Sequence, residues 1–187
     1  MRCYLGKFDP DALRFYLTAT QPETRDTEAC PEGFEGFSWE DFVERNNPVL
    51  SAAEGNELVA TWGNLANRML SFAYKRFDGK VPQPVELDAE DRALLEKVES
   101  GFETVGELCN ACKFRAALGE ALALAREANG YLDRTAPWFQ NKKDRKAAAT
   151  SVYVILRVVD NLKTILAPIL PHTAQRLHEY LGYEGQL

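Results

Sequence analysis

The sequence is short of everything that metal-based or nucleophilic chemistry needs. Its 187 residues include only two histidines, His172 and His178, six positions apart near the C-terminus. That spacing suits neither a zinc pair nor an acid–base pair, so both read as helix-surface or packing residues. Of four cysteines, Cys3 and Cys30 stand alone, and Cys109 and Cys112 form one C-x-x-C in ELCNACKF. A structural zinc site takes four ligands, usually two such pairs. A single pair in a helical stretch reads as two reduced core thiols sharing a face, with zinc or redox chemistry as the alternative. Gly-rich phosphate loops, G-x-S-x-G and H-E-x-x-H are all missing. The expectation is no catalytic residue, no metal site and no cofactor in this chain. No apolar run approaches the roughly 20 residues that span a bilayer. The start, MRCYLGKFDPDALRFYL, has no apolar core followed by a small-residue cleavage site. A cytoplasmic protein without membrane contact is expected. Positive charge is scarce too: 22 Lys and Arg against 28 Asp and Glu, a net charge of −6. This counts against a protein that coats nucleic acid non-specifically. It leaves room for local recognition of an unpaired base by a few donors, a stacking ring and a small basic patch.

What is present is helical periodicity. Clean period-two alternation and hairpin signatures are lacking, and 45% hydrophobic content suffices for one core, or one core plus a small appendage. A short helix is predicted over 9–20, with Pro10 in its first turn and Leu13, Phe15, Tyr16 and Leu17 as a broad apolar face. Residues 21–37 read as a loop, and Ser38 with Asp41 caps a brief helix that Pro48 ends. A long helix opened by Ser51 and Glu54 runs to about Arg76 on a stripe of Leu58, Trp62, Leu65, Met69, Phe72 and Phe77. A third, capped by Asp88, spans 89–110 with Leu94, Leu95, Val98, Phe102, Val105 and Leu108. A fourth spans 113–134, and Pro137 breaks the pattern after it. A fifth spans 144–166, stopped by Pro168, and a last one runs from Pro171 to about Leu181. The reading is an all-α antiparallel helical bundle over 48–187, preceded by a small module over 1–47.

Two groups of residues carry a chemical suggestion. In GNLANR, Asn64 and Arg68 lie four apart on one helix and share a face, with Asn67 close by at another angle. Together they offer forked donors and an amide acceptor, which match the Watson–Crick edge of cytosine. Solvent exposure or a hydrogen bond to a neighbouring helix is the bland alternative. In APW, Pro137 stiffens the approach to Trp138, whose ring would suit base stacking; the alternative is a Trp that closes one end of the core. Lys142, Lys143, Arg145 and Lys146 follow as the densest positive cluster in the chain. Read as the first turn of a helix, they oppose its dipole, which favours a phosphate-facing role over a merely solvated one.

The ordered segments DPDALRFYLTATQPETRDTE, FSWEDFVERNN, NELVATWGNLANRMLSFAYKRFDGKVP, NGYLDRTAPWFQNK and LKTILAPILPHTAQRLHEYLG resemble the methionyl-tRNA synthetases downstream of their catalytic domain. DALRFYL alone is shared with related class I synthetases; its combination with GNLANR and APW is specific. The resemblance implies that Asn64, Arg68 and Trp138, with Pro137 in support, contact a CAU anticodon in initiator and elongator methionine tRNAs. It also implies that the N-terminal module is the stem-contact region joining the bundle to the catalytic domain of the same enzyme. The catalytic signatures HIGH and KMSKS are absent, so ATP and, where present, zinc would belong to the parent's catalytic domain. Residues 29–36 and 48–55 look like insertions relative to the family pattern, and Cys109 and Cys112 stand where ordinary apolar residues are expected. Two other readings compete. One is the equivalent domain of another class I synthetase. The other is a non-catalytic helical interaction module, which requires a buried Trp138 and internal pairing of Asn64 and Arg68.

Overall fold

The computed structural model describes residues 9–23, 42 and 58–187. The boundary at 47/48, the capping pair Ser51 and Glu54, both insertions, Cys3, Cys30 and the brief helix after Ser38 lie outside them, apart from Phe42. Among the described residues no strand occurs, as the sequence leads one to expect.

Helix α1 (Pro10–Ala19) is capped by Asp9, whose carboxylate accepts from the Asp11 amide, with Pro10 in the first turn where its missing N–H costs nothing. Of its expected apolar face, Tyr16 is buried and meets Phe42 edge-on at 5.4 Å, but Leu17 is exposed. A π-helical turn, Leu58–Gly63, leads into α2 (Asn64–Arg76). The wider turn frees a carbonyl, and Asn129 of the bundle donates to Thr61 O at 2.8 Å. The sequence predicts one continuous α-helix to about Arg76; the π turn is a correction.

Helix α3 (Ala89–Asn110) opens with a full capping box between Asp88 and Asp91. Its stripe buries Leu94, Val98 and Val105, but Phe102 is 41% exposed. At Gly101 a Cβ would collide with the Leu124 methyl, so glycine permits the close approach of α3 to α4 (Phe114–Thr135). Ala136, left-handed at φ 39°, then turns the chain into α5 (Pro137–Lys143), an element the sequence reading lacked. The sequence pattern makes Pro137 a terminator, yet proline at a first helical position starts a helix as readily as it stops one.

Helix α6 (Arg145–Leu166), capped by Asp144, is the axis of the molecule. It packs against α2, α3, α4, α5 and α7 (Pro171–Tyr180), and buries residues on every side, among them Val152, Ile155, Val158, Val159, Leu162 and Leu166. Helix α1 docks on α4 and α7. Arg14 donates to the carbonyls of Pro168 and Ile169, and the buried Asp11 carboxylate caps α7 from outside, accepting from Thr173 N at 2.5 Å. Short connections make successive bundle helices run antiparallel.

The cysteine reading needs correcting. Cys109 is half-buried against the core, where burial raises its thiol pKa. Cys112 lies beyond the end of α3, exposed and left-handed at φ 58°, so the two thiols share no helix face. The described residues hold no cluster of His, Cys, Asp and Glu that could bind a metal, and no helix long and apolar enough to cross a membrane.

Candidate nucleic-acid interface

The buried stripe of α2 decides what its other face shows. Trp62, Leu65 and Met69 are sunk in the core, so the opposite side turns Asn64, Asn67, Arg68, Ser71, Tyr74 and Lys75 to solvent. Opposite this face, the left-handed Ala136 aims α5 so that Pro137 is buried and Trp138 half-buried, its ring resting on the core. The Arg68 guanidinium lies over the Trp138 ring, 4.6 Å from its centroid. Two motifs 70 positions apart in the chain are thus one constellation. Such a stack holds both planar groups in place and leaves the fork of the guanidinium free to donate.

Arg68 has one further partner, Asp133 Oδ1 at 3.9 Å, a long contact between a 42% exposed guanidinium and a 70% exposed carboxylate. It steers Arg68 while adding little stability. Asn64 is exposed, and Asn67 accepts a 3.4 Å hydrogen bond from Ser71 Oγ. The interaction-module reading required a buried Trp138 and internal pairing of Asn64 and Arg68. The structure instead shows a half-open ring under the Arg68 guanidinium, with the Asn64 amide exposed on the same helix.

The basic cluster divides. Lys142 and Lys143 are exposed in the last turn of α5, where positive charge suits the helix dipole. The expectation that they oppose a helix start is therefore wrong. Arg145 donates to the Arg76 carbonyl at 3.2 Å and stands over Phe77 at 5.6 Å, tying α6 to the end of α2. Lys146 lines a recess with Asp88, Asp91 and Asp144. Charge is nonetheless sorted by element: α2 and α5 contain five Lys and Arg and no acidic residue at all.

One buried group escaped the sequence reading. Lys163 of α6 is 2% exposed; its Nζ sits 2.7 Å from Asp160 Oδ1, 3.0 Å from His178 Nδ1 and 4.4 Å from the Tyr183 ring. Tyr183 donates to Asp160 and stacks on His178 at 4.8 Å. This knot fastens α7 and the tail to α6. Read in sequence, Lys163 is one more cation in a helix, and nothing marks it as buried. His178 fits the packing role expected of it, and His172 is exposed at the start of α7.

Comparisons with known proteins show the family of the chain. The model of the "anticodon binding domain of methionyl tRNA ligase" matches residues 81–186, more than half of the chain, and the model of "tRNA synthetases class I (M)" matches residues 1–70. The methionine–tRNA ligases of Thermomicrobium roseum and Chloroflexus aurantiacus are each 50% identical over 184 residues, 98% of this chain. The chain spans only 29% and 28% of those two proteins. Among solved structures, Mycobacterium tuberculosis methionyl-tRNA synthetase in its free state superposes with a TM-score of 0.74 at 30% identity, over 93% of this chain and 33% of that one. The same enzyme bound by methionyl-adenylate gives 0.77 at 27% identity, over 94% and 32%. The chain therefore belongs to the methionyl-tRNA ligase family, of which it carries the anticodon-binding domain.

Proposed function

We propose that this chain reads the CAU anticodon of initiator and elongator methionine tRNAs, within a cytoplasmic ligase that joins methionine to tRNA using ATP. The observation that carries the reading is the solvent-facing Arg68–Trp138 stack, built by two helices that hold no acidic residue. Asn64 and Arg68 take the Watson–Crick edge of the anticodon cytosine, and Asn67 supplements them. Trp138 stacks on a base, and buried Pro137 holds it ready. Lys142 and Lys143, with Arg145 and Lys146 behind them, take phosphates. Residues 1–47 form the stem-contact linker to the catalytic domain, and residues 48–187 the reading bundle. The domain breaks and forms no covalent bond. It selects tRNA by differential binding and positions it for a distant active site, where ATP and, where present, zinc belong.

The test is binding of a CAU anticodon stem-loop at low salt, with a control loop in which the anticodon cytosine is replaced, to wild type and Trp138→Ala. Wild-type binding lost with either change supports the reading. Equal binding of both loops by a folded wild-type chain would overturn it.

A further inference from the structure

On the flank of α2 away from Trp138, two recesses run into each other. One, of about 250 Å³, is walled by Trp62, Ala66, Asn67, Leu70, Leu177 and Tyr180. The next, of about 400 Å³, shares Asn67, Leu70 and Tyr180 and adds Tyr74, Lys75 and Lys80. Together they make one groove, bounded by α2 on one side and by α7 and the turn after α2 on the other. Tyr74 and Tyr180 stand 75% and 74% exposed. The side chains of Tyr74, Tyr180, Lys75 and Lys80 have no hydrogen-bonding or ion-pair partner among the described residues. Among the described residues no carboxylate lines either recess, although Asp and Glu outnumber Lys and Arg by 28 to 22 in the chain. Bare aromatic rings on an apolar floor, edged by unpaired lysines, are what a groove for single-stranded nucleic acid consists of.

We infer that this groove is a second RNA-contact site, which takes the unstacked nucleotides of the anticodon loop that flank the anticodon. Their bases rest on Tyr180 and Tyr74, and their phosphates meet Lys75 and Lys80. The inference rests on the anticodon-reading proposal, because continuity supplies the occupant. Asn67 lines both recesses and is the chain neighbour of Arg68. From Arg68 to Lys75 the helix rises about 10 Å, a span that a few nucleotides of loop cover. Stacking accepts any base, so the groove adds affinity and leaves the choice of anticodon to Asn64, Arg68 and Trp138. A protein segment fits the apolar floor too, but it gives no reason for lysines that meet no acid among the described residues.

The full chain is titrated with the CAU stem-loop and with the altered-cytosine control, each carrying 2-aminopurine at the loop position next to the anticodon. Tyr180→Ala should weaken CAU binding roughly 5- to 150-fold, the range of one lost base–aromatic stack. The ratio of CAU to control binding should stay unchanged, and the 2-aminopurine quenching seen with wild type should be lost. Lys80→Gln should weaken binding of both loops alike, and Tyr180→Phe should restore wild-type affinity. The variants alter exposed side chains, and matched thermal melts establish that they are folded. If Tyr180→Ala and Tyr74→Ala both bind as wild type while wild type still discriminates the loops, the groove is not an RNA site and a protein occupant takes its place. If wild type binds both loops equally but Tyr180→Ala weakens both, the groove stands and the anticodon reading falls.

Discussion

Arg68 has to do two things with one side chain: hold Trp138 in place and offer donors to whatever lies beside it. A guanidinium can do both because its flat face stacks at 4.6 Å while its edge still donates. An ammonium keeps the charge and loses the plane and the fork. Arg68→Lys is therefore expected to weaken CAU stem-loop binding by at least about tenfold, roughly 1.4 kcal/mol, the scale of one good charge-assisted hydrogen bond. The melting temperature should barely move, since the residue is 42% exposed. Unchanged affinity in a fluorescence titration would show that only the charge matters. Tyr131 illustrates the opposite case, a polar group that serves the fold. It is 1% exposed and donates to Asp91 Oδ1 at 2.6 Å. Burial first, and the hydrogen bond to Asp91 second, push its phenol well above the ordinary range. The unfolded chain releases this proton near pH 10, the folded chain only at higher pH. Stability is thus fully present below pH 10 and declines as pH rises beyond it. Tyr131→Phe should cost about 1–3 kcal/mol at neutral pH, because the Asp91 carboxylate loses a buried donor. It should also flatten the alkaline decline, which denaturant titrations at several pH values would reveal.

Among the elements, the ones that could be read from sequence are those whose ends are chemically marked. Asp88 and Asp91 announce the start of α3, Pro171 that of α7, and the α6 stripe is legible because nearly every apolar residue on it is buried. Helix α5 was not legible, because Pro137 both ends one helix and begins the next, and the left-handed Ala136 between them carries no residue signature. The π turn before Asn64 was equally hidden: spacings of three to five fit a stripe with or without an extra residue in it. Asn64, Arg68 and Trp138 are only weakly marked by residue type, since solvent exposure and core closure explain them equally; the resemblance of GNLANR and APW to the family's motifs is what singles them out. Contacts across the chain had no such marker. Nothing in sequence tells that Asp11 caps α7, or that Lys163 is buried. Both offer tests of how the terminal elements are held. Asp11→Ala removes the cap of a helix 160 residues away and should cost about 1–2 kcal/mol, with easier proteolysis within residues 9–23. Asp160→Ala leaves the Lys163 ammonium buried beside only a histidine nitrogen and a ring face. A loss of about 3–5 kcal/mol in a chemical melt is expected. A loss below 1 kcal/mol would mean that Lys163 escapes to solvent when its partner goes.

For the molecule as a whole, the net charge of −6 and the proposed RNA partner conflict only if charge is averaged. It is not averaged in the fold: the two helices that build the interface hold Arg68, Lys75, Arg76, Lys142 and Lys143 and no acidic residue. The acidic remainder lies on other elements, such as the Asp88–Asp91 start of α3. Basic residues concentrated on two helices favour phosphate contact there over contact elsewhere on a net acidic chain. Salt then separates the two kinds of contact. Each phosphate neutralised on a single strand contributes about 0.7 to the slope of log affinity against log salt. Replacing both Lys142 and Lys143 by Gln should lower that slope by about 1.4 and weaken the CAU and control loops equally. Trp138→Ala should do the reverse, abolishing the preference for CAU while leaving the slope nearly intact, because an indole releases no counterions. A double-lysine variant with an unchanged slope would remove Lys142 and Lys143 from the interface and leave phosphate contact to Arg145 and Lys146 or to Lys75 and Lys80.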